Sequence, residues 1–249
     1  MKLAIVVPGG VDRGGEERVI PVFLALIAHL ARKHEVHVFV LRQEPKPARW
    51  MLRGATVHNI GDGWQRTRAV AEIVKEHRRA PFDVVQAIFS GYCSLVAVTA
   101  ACLLRRPGLV HSAGGELVAL PDIGYGGRRF WRGRLREAVT LRVAAAVTAA
   151  SDPIVASLRA LGIDGRRLPL GVDLETWPPA APRCRGDGPA RLMPVASLNR
   201  VTDQATLLHA LSLPRSEGVD FRMDLVGVDT LDGDMQTLAT RLGPHARSP

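Results

Sequence analysis

The residues best equipped for chemistry sit in two glycine-bearing loops, each following a short apolar run. The first is Pro8-Gly9-Gly10-Val11-Asp12-Arg13-Gly14-Gly15-Glu16-Glu17-Arg18. Glycines there let the backbone approach a ligand closely, and the helical pattern that follows would turn N–H groups toward an anion. A phosphate or a sugar fits that arrangement, and so does a plain strand-to-helix turn that needs glycine for its geometry. The spacing departs from G-x-G-x-x-G, and Val40-Leu41-Arg42-Gln43 supplies no acidic residue where a dinucleotide ribose would be held, so a nicotinamide enzyme is disfavoured. The second loop, Leu109-Val110-His111-Ser112-Ala113-Gly114-Gly115-Glu116, repeats the design at another strand end. His111 and Glu116 are its candidate catalytic groups, set against a structural histidine and a helix-capping or solvated glutamate.

Between Tyr125 and Arg142, six arginines surround Phe130 and Trp131, opposed only by Glu137. Arg128, Arg129, Phe130, Trp131 and Arg132 form a candidate membrane surface, because basic side chains beside aromatics suit an anionic inner-membrane face. Nucleic acid would accept the same pairing, but no nucleic-acid motif accompanies it and no such partner is expected. A solvated helix face with Phe130 and Trp131 partly packed inward is the plain alternative.

The chain as a whole, 249 residues with 47% hydrophobic side chains and 24 glycines, has globular composition, which excludes collagen-like, coiled-coil and wholly disordered classes. The net charge of +9 is spread along the chain and carried mostly by arginine. Cys93, Cys102 and Cys184 are too few and too irregular for a disulfide framework or a zinc site, and their odd number fits a reducing compartment. The apolar run at 3–7 is stopped at once by Pro8, leaving no export signal in view, so a cytoplasmic location is expected. The uncharged stretch 84–104 is long enough to span a bilayer, but Gln86, Ser90, Gly91, Tyr92, Ser94 and Thr99 interrupt it, and a strand followed by a buried helix explains the same composition.

Short β-branched runs at 3–7, 36–41, 56–60, 84–88, 109–111 and 144–149 alternate with helical patterns at 16–32, 67–79, 95–104 and 129–141, then a helix opened by Ser151 and an extended piece at 167–170. The alternation predicts an α/β fold with a doubly wound, Rossmann-like parallel sheet over 1–173. Residues 174–189, with Pro178, Pro179, Pro182 and Pro189, have linker composition. Strands at 192–196 and 222–226 and helices at 203–213 and 235–242 make 190–249 half of a second Rossmann-like domain. That is too little apolar surface for independent stability, so a chain truncated within this domain is expected.

The segment Leu168-Pro169-Leu170-Gly171-Val172-Asp173-Leu174-Glu175-Thr176-Trp177-Pro178-Pro179 resembles the interdomain segment of the family 4 retaining glycosyltransferases, which have the GT-B fold. The opening Gly-Gly-x-Glu loop, Ala149-Ala150-Ser151 and Leu198-Asn199-Arg200-Val201-Thr202-Asp203-Gln204 add to the resemblance, which covers nearly the whole chain. It implies an N-terminal domain for the acceptor, a C-terminal domain for a nucleotide-sugar, and hexosyl transfer with retention of configuration. The acceptor would be a glycan or a lipid-linked glycan of envelope or exopolysaccharide assembly. Cationic side chains and backbone N–H groups would hold the diphosphate, so neither a metal nor a cofactor beyond the nucleotide-sugar substrate is expected. By position, Arg200 matches the arginine on the diphosphate, Gly10 and Gly15 match loop glycines near phosphate and acceptor, and His111 matches a histidine beside the transferred sugar. The family's lysine falls on Thr202, which weakens the donor-phosphate contact, and its E-x7-E region would lie beyond Pro249. The alternative is an inactive truncated remnant or pseudoenzyme that binds an acceptor or a partner, which Thr202 and the terminal run from His245 favour.

Overall fold

The computed structural model describes residues 1–181, 188–216 and 218–242. Pro182, Cys184 and the run from His245 lie outside the described residues. The chain divides into two compact units, Met1–Pro178 and Pro179–Pro249.

The first unit is built on a sheet of eight strands: β1 Lys2–Val7, β2 Glu35–Val40, β3 Ala48–Leu52, β4 Ala55–Asn59, β5 Val84–Ile88, β6 Gly108–Ser112, β7 Ala146–Ala149 and β8 Gly165–Arg167. Their spatial order is β3-β4-β2-β1-β5-β6-β7-β8, parallel throughout except for the antiparallel β3–β4 pair at one edge. Five helices connect them: α1 Pro21–Ala31, α2 Gln65–Arg79, α3 Tyr92–Leu104, α4 Trp131–Val143 and α5 Asp152–Ala160. Period-two alternation on β1 sends Ala4 and Val6 into one core with Ile73 of α2 and Ala97 of α3, and Ile5 and Val7 into another with Phe23 and Ile27 of α1. Covering both faces is why β1 and β2 read as continuous apolar runs, and it gives the doubly wound α/β arrangement expected.

The differences from the sequence reading lie at element ends. Helix α1 starts at Pro21 rather than at 16, because Arg18 stands at φ 49, outside helical backbone, and Pro21 occupies the first turn, where its missing N–H costs nothing. Helix α4 starts at Trp131, after a single 3-10 turn at Gly127–Arg129. The extended piece expected at 167–170 forms earlier, as β8. The uncharged stretch 84–104 is β5 and α3, and among the described residues no helix is long and apolar enough to cross a membrane. In the second unit, β9 Ala190–Leu192 pairs in parallel with β10 Phe221–Met223, and helices α6 Gln204–Ser216 and α7 Asp234–Leu242 close a small core of Leu198, Leu208, Met223, Met235 and Ala239. The strands expected at 192–196 and 222–226 are shorter and start earlier, continuing only as single bridges between Val195 and Val226 and between Leu198 and Asp229.

Strand order reverses between β1 and β5, since the chain leaves β1 toward β2 on one side and β5 toward β6 on the other. In doubly wound sheets the crevice beyond the carboxyl ends of the strands at such a reversal is where ligands bind.

Candidate functional site

The loop after β1 is shaped by Gly10, whose φ of +85 places any Cβ 2.6 Å from Ile20 Cγ1, so only glycine fits. Its amides are already engaged. The N–H groups of Gly10 and Val11 donate to Gln43 Oε1 at 2.8 and 3.1 Å, and the Gly15 N–H donates to the Asp12 carbonyl at 3.1 Å. Gln43 Nε2 donates in turn to the Arg18 carbonyl at 3.2 Å, and its own backbone N–H donates to Asn59 Oδ1 at 3.0 Å. Gly10 and Gly15 therefore give the loop its path, and the amides of Gly10, Val11 and Gly15 are held within the chain. The role of Gln43 had no signal in the sequence beyond a polar side chain shortly after β2.

The structure embeds His111 in the sheet, 1% exposed, with Nδ1 2.8 Å from Oγ1 of Thr148, its register partner on β7. Burial pushes its pKa down, which keeps the ring neutral, and Nε2 has no hydrogen-bond partner. Glu116 clamps two loops together: Oε1 accepts from the Ser90 N–H at 3.3 Å and Oε2 from the Gly114 N–H at 2.8 Å. These bonds engage both carboxylate oxygens in holding the ends of β5 and β6 together, while His111 lies within the sheet.

Beside that clamp, on the β5 and β6 side of the strand-order reversal, lies a cavity of about 290 Å³. Phe89, Glu116, Tyr125, Glu137 and five glycines line it. Phe89 holds φ 71, a costly backbone state for a non-glycine residue and one that gathers at ligand sites. Glu137 reaches the cavity from α4 and is fully buried, with Oε2 3.5 Å from Arg128 Nη1 and no hydrogen-bond partner on either oxygen. Burial pushes its carboxyl up to about 7, against the pull of Arg128 and Arg136. From sequence Glu137 was only the lone acid in a basic stretch.

The basic patch splits. Arg128 turns inward to Glu137 and leaves the candidate membrane surface. Phe130 and Trp131 are 65% and 62% exposed rather than packed inward, with Arg129 and Arg132 lying over their rings at 5.0 and 5.4 Å. Leu135 and Val139, at four-residue intervals along α4 from Trp131, continue the exposed apolar stripe.

In the second unit Arg200 stands exposed in a turn fixed by Asn199, whose Oδ1 accepts from the Val201 and Thr202 N–H groups at 2.9 and 3.0 Å. The Thr202 hydroxyl lies 2.8 Å from the Ser197 carbonyl and 2.9 Å from Gln204 Oε1. The hydroxyl is bonded within its own loop.

Similar architectures recur among solved structures. Sucrose-phosphate synthase from Thermosynechococcus elongatus superposes with a TM-score of 0.70 at 15% identity, over 100% of this chain and 70% of that one. HepE of Anabaena in complex with UDP and glucose gives 0.64 at 16% identity, over 100% and 68%. The lipopolysaccharide outer core galactosyltransferase WaaB gives 0.61 at 16% identity, over 97% and 65%. At these identities the likeness establishes the fold alone, and a search of curated proteins found no match. The family model described as Glycosyltransferase Family 4 matches residues 14–176, from the β1 loop through the whole β5–β6 crevice, and the chain belongs to that glycosyltransferase family, on a GT-B-like Rossmann-type fold.

Proposed function

We propose that this chain transfers a hexosyl group from a nucleotide-sugar to a glycan or lipid-linked acceptor with retention of configuration, the acceptor seated in the first unit. The observation that carries the reading is the cavity at the carboxyl ends of β5 and β6, a buried carboxyl at its wall, in a chain of this family. Arg200 is the donor-side group: a guanidinium presents a fork of N–H donors to a diphosphate and neutralises charge as the nucleotide leaves, with no metal assigned to that task. Nucleotide-sugars of several bases, incubated with the chain and a glycan acceptor, test the reading through release of the nucleoside diphosphate. Arg200→Ala is expected to weaken nucleoside-diphosphate binding by roughly ten- to a hundredfold, the loss of a charge-assisted contact of about 1.5–3 kcal/mol. Unchanged affinity by calorimetry removes Arg200 from the site. Acceptor binding without any turnover would instead favour a non-catalytic binding protein, the reading that Thr202 supports by having no free hydroxyl.

Association with the inner membrane face belongs to the same proposal and rests on the exposed stripe of Phe130, Trp131, Leu135 and Val139 flanked by Arg129 and Arg132. Replacing Phe130 and Trp131 together by Ser is expected to release the protein from anionic liposomes, because both rings are solvent-facing and their loss removes apolar insertion without touching the core. Undiminished co-sedimentation returns them to the solvated helix face.

A further inference from the structure

We infer that a cavity between the β3–β4 edge of the sheet and helix α2 binds a phosphomonoester that also carries hydroxyl groups, Arg49, Arg68 and Lys75 taking the phosphate and His58 Nδ1 accepting a hydrogen bond from a hydroxyl. The cavity is separated from the β5–β6 crevice by β2 and β1, and nothing in the inference rests on the glycosyl-transfer reading.

A row of three side chains ends at this cavity. Glu35 Oε1 lies 2.9 Å from His37 Nε2, His37 Nδ1 lies 2.9 Å from His58 Nε2, and His58 lines the cavity. The row fixes where its protons are. The hydrogen bond from His37 holds the Glu35 carboxyl below its usual range, so it accepts and His37 presents Nε2–H. Burial pushes both imidazoles down, His58 to about 3, so each ring is neutral and carries one N–H. His37 Nδ1 is then a lone pair, and His58 Nε2 must donate to it. His58 Nδ1 is therefore a lone pair too, with no hydrogen-bond partner among the described residues, on a side chain that is only 3% exposed. Buried polar atoms are almost always paired, and this one calls for a donor.

Charge supplies the rest of the ligand. Arg49 stands in register with His58 across β3 and β4, and Arg68, Glu72 and Lys75 present one face of α2 to the same cavity. Arg68 Nη1 donates only to the Asp62 carbonyl, Lys75 pairs with Glu72 at 3.2 Å, and Arg49 stands 3.8 Å from Glu76, which Lys2 and Arg79 already hold. Three cations against Glu72 leave two positive charges at the wall, the match of a phosphomonoester dianion. A bare dianion would satisfy the cations and leave His58 Nδ1 unpaired, and a neutral polyol would do the reverse. A metal ion on that lone pair would face the same three cations. The volume, about 370 Å³, lies in the range of small-molecule sites.

Calorimetry of the full chain with sn-glycerol 3-phosphate at about pH 8 tests the assignment, since there the phosphate is a dianion and only the glycerol hydroxyls can donate. Binding is expected, with propyl phosphate, which has no hydroxyl, at least about fivefold weaker because the buried acceptor stays unpaired. Replacing Arg68 and Lys75 together by Gln, both exposed on α2, is expected to weaken glycerol 3-phosphate by about tenfold or more. His58→Leu is expected to abolish the discrimination between the two phosphates, a readout that packing alone does not move. Should that variant fail to fold, the propyl phosphate comparison and the Arg68–Lys75 variant carry the test. Arg200→Ala is expected to leave glycerol 3-phosphate affinity unchanged, which separates this cavity from the donor-side group. The assignment is overturned if glycerol 3-phosphate does not bind, if sulfate binds as tightly and marks an adventitious ion only, or if propyl phosphate binds equally well. Full affinity in the Arg68–Lys75 variant, retained discrimination in a folded His58→Leu, or a loss on Arg200→Ala overturns it as well.

Discussion

Glu76→Leu is expected to lower stability by about 3–5 kcal/mol, on the order of 10 °C in melting temperature, with no group of the proposed site touched. Glu76 of α2 is buried beside the Lys2 ammonium at 3.4 Å, with Arg79 at 3.0 Å, Arg49 at 3.8 Å and His37 Nδ1 at 4.0 Å. Removing the carboxylate strands Lys2, which is 6% exposed, beside a partner, Glu35, that is itself mostly in solvent. Burial pushes the Glu76 carboxyl up, but the hydrogen bond from Arg79 and the charge of Lys2 outweigh it and hold it below its usual 4.5. A carboxyl depressed on folding contributes stability above its unfolded pKa and loses it as pH falls through the folded one. The gap in melting temperature between the parent chain and the variant is therefore widest near pH 7 and closes below about pH 4.5, and a gap independent of pH would contradict the ion-pair account. His37, His58 and Glu76 also bring ligand atoms within 4.8 Å of one another, yet Lys2 already fills the place of the cation, and burial pushes His58 down to about 3, so the paired imidazoles stay neutral.

Gln43→Ala follows, with an expected loss of about 2–4 kcal/mol and of any activity that depends on the β1 loop. The substitution leaves the N–H groups of Gly10 and Val11 without an acceptor; Val11 is fully buried and pays a desolvation cost of about 1–3 kcal/mol, and the half-buried Gly10 pays a smaller one. Arg42→Ala is the control one position away. Its ion pair with Asp62 at 2.9 Å is largely in water and is worth no more than about 1 kcal/mol. Denaturant unfolding of the two variants separates them, and equal losses would mean that the loop does not hang on the glutamine.

The two cases mark how far the sequence could be read. Apolar periodicity located nearly every strand and helix of the first unit, since a sheet covered on both faces writes its burial into consecutive residues. It missed β3, an edge strand whose Arg49 and Trp50 break the apolar pattern, and it missed where α1 and α4 begin, which loop geometry at Arg18 and Gly127 decides. The site was legible as places but not as partners. Gly10 and Glu116 stood out by type, but their hydrogen bonds run to Gln43 and Ser90, which lie 33 and 26 residues away in sequence. Glu137 looked like one acid among arginines, because nothing local says that α4 turns it inward. Arg128 was read as a surface cation for the same reason.

The burial of Lys2 also decides how the protein can be attached to anything. Its lysines are Lys2, Lys33, Lys46 and Lys75, all in the first unit, and the last three are exposed. An amine-reactive dye or resin will therefore couple its side chains through Lys33, Lys46 and Lys75 and spare Lys2, whose ammonium is locked against Glu76. The second unit, with Arg200, carries no lysine and keeps its side chains unmodified. Lysine-tethered protein can thus serve directly for donor-binding measurements on a sensor surface, with acylation of Lys2 reporting that the fold has opened.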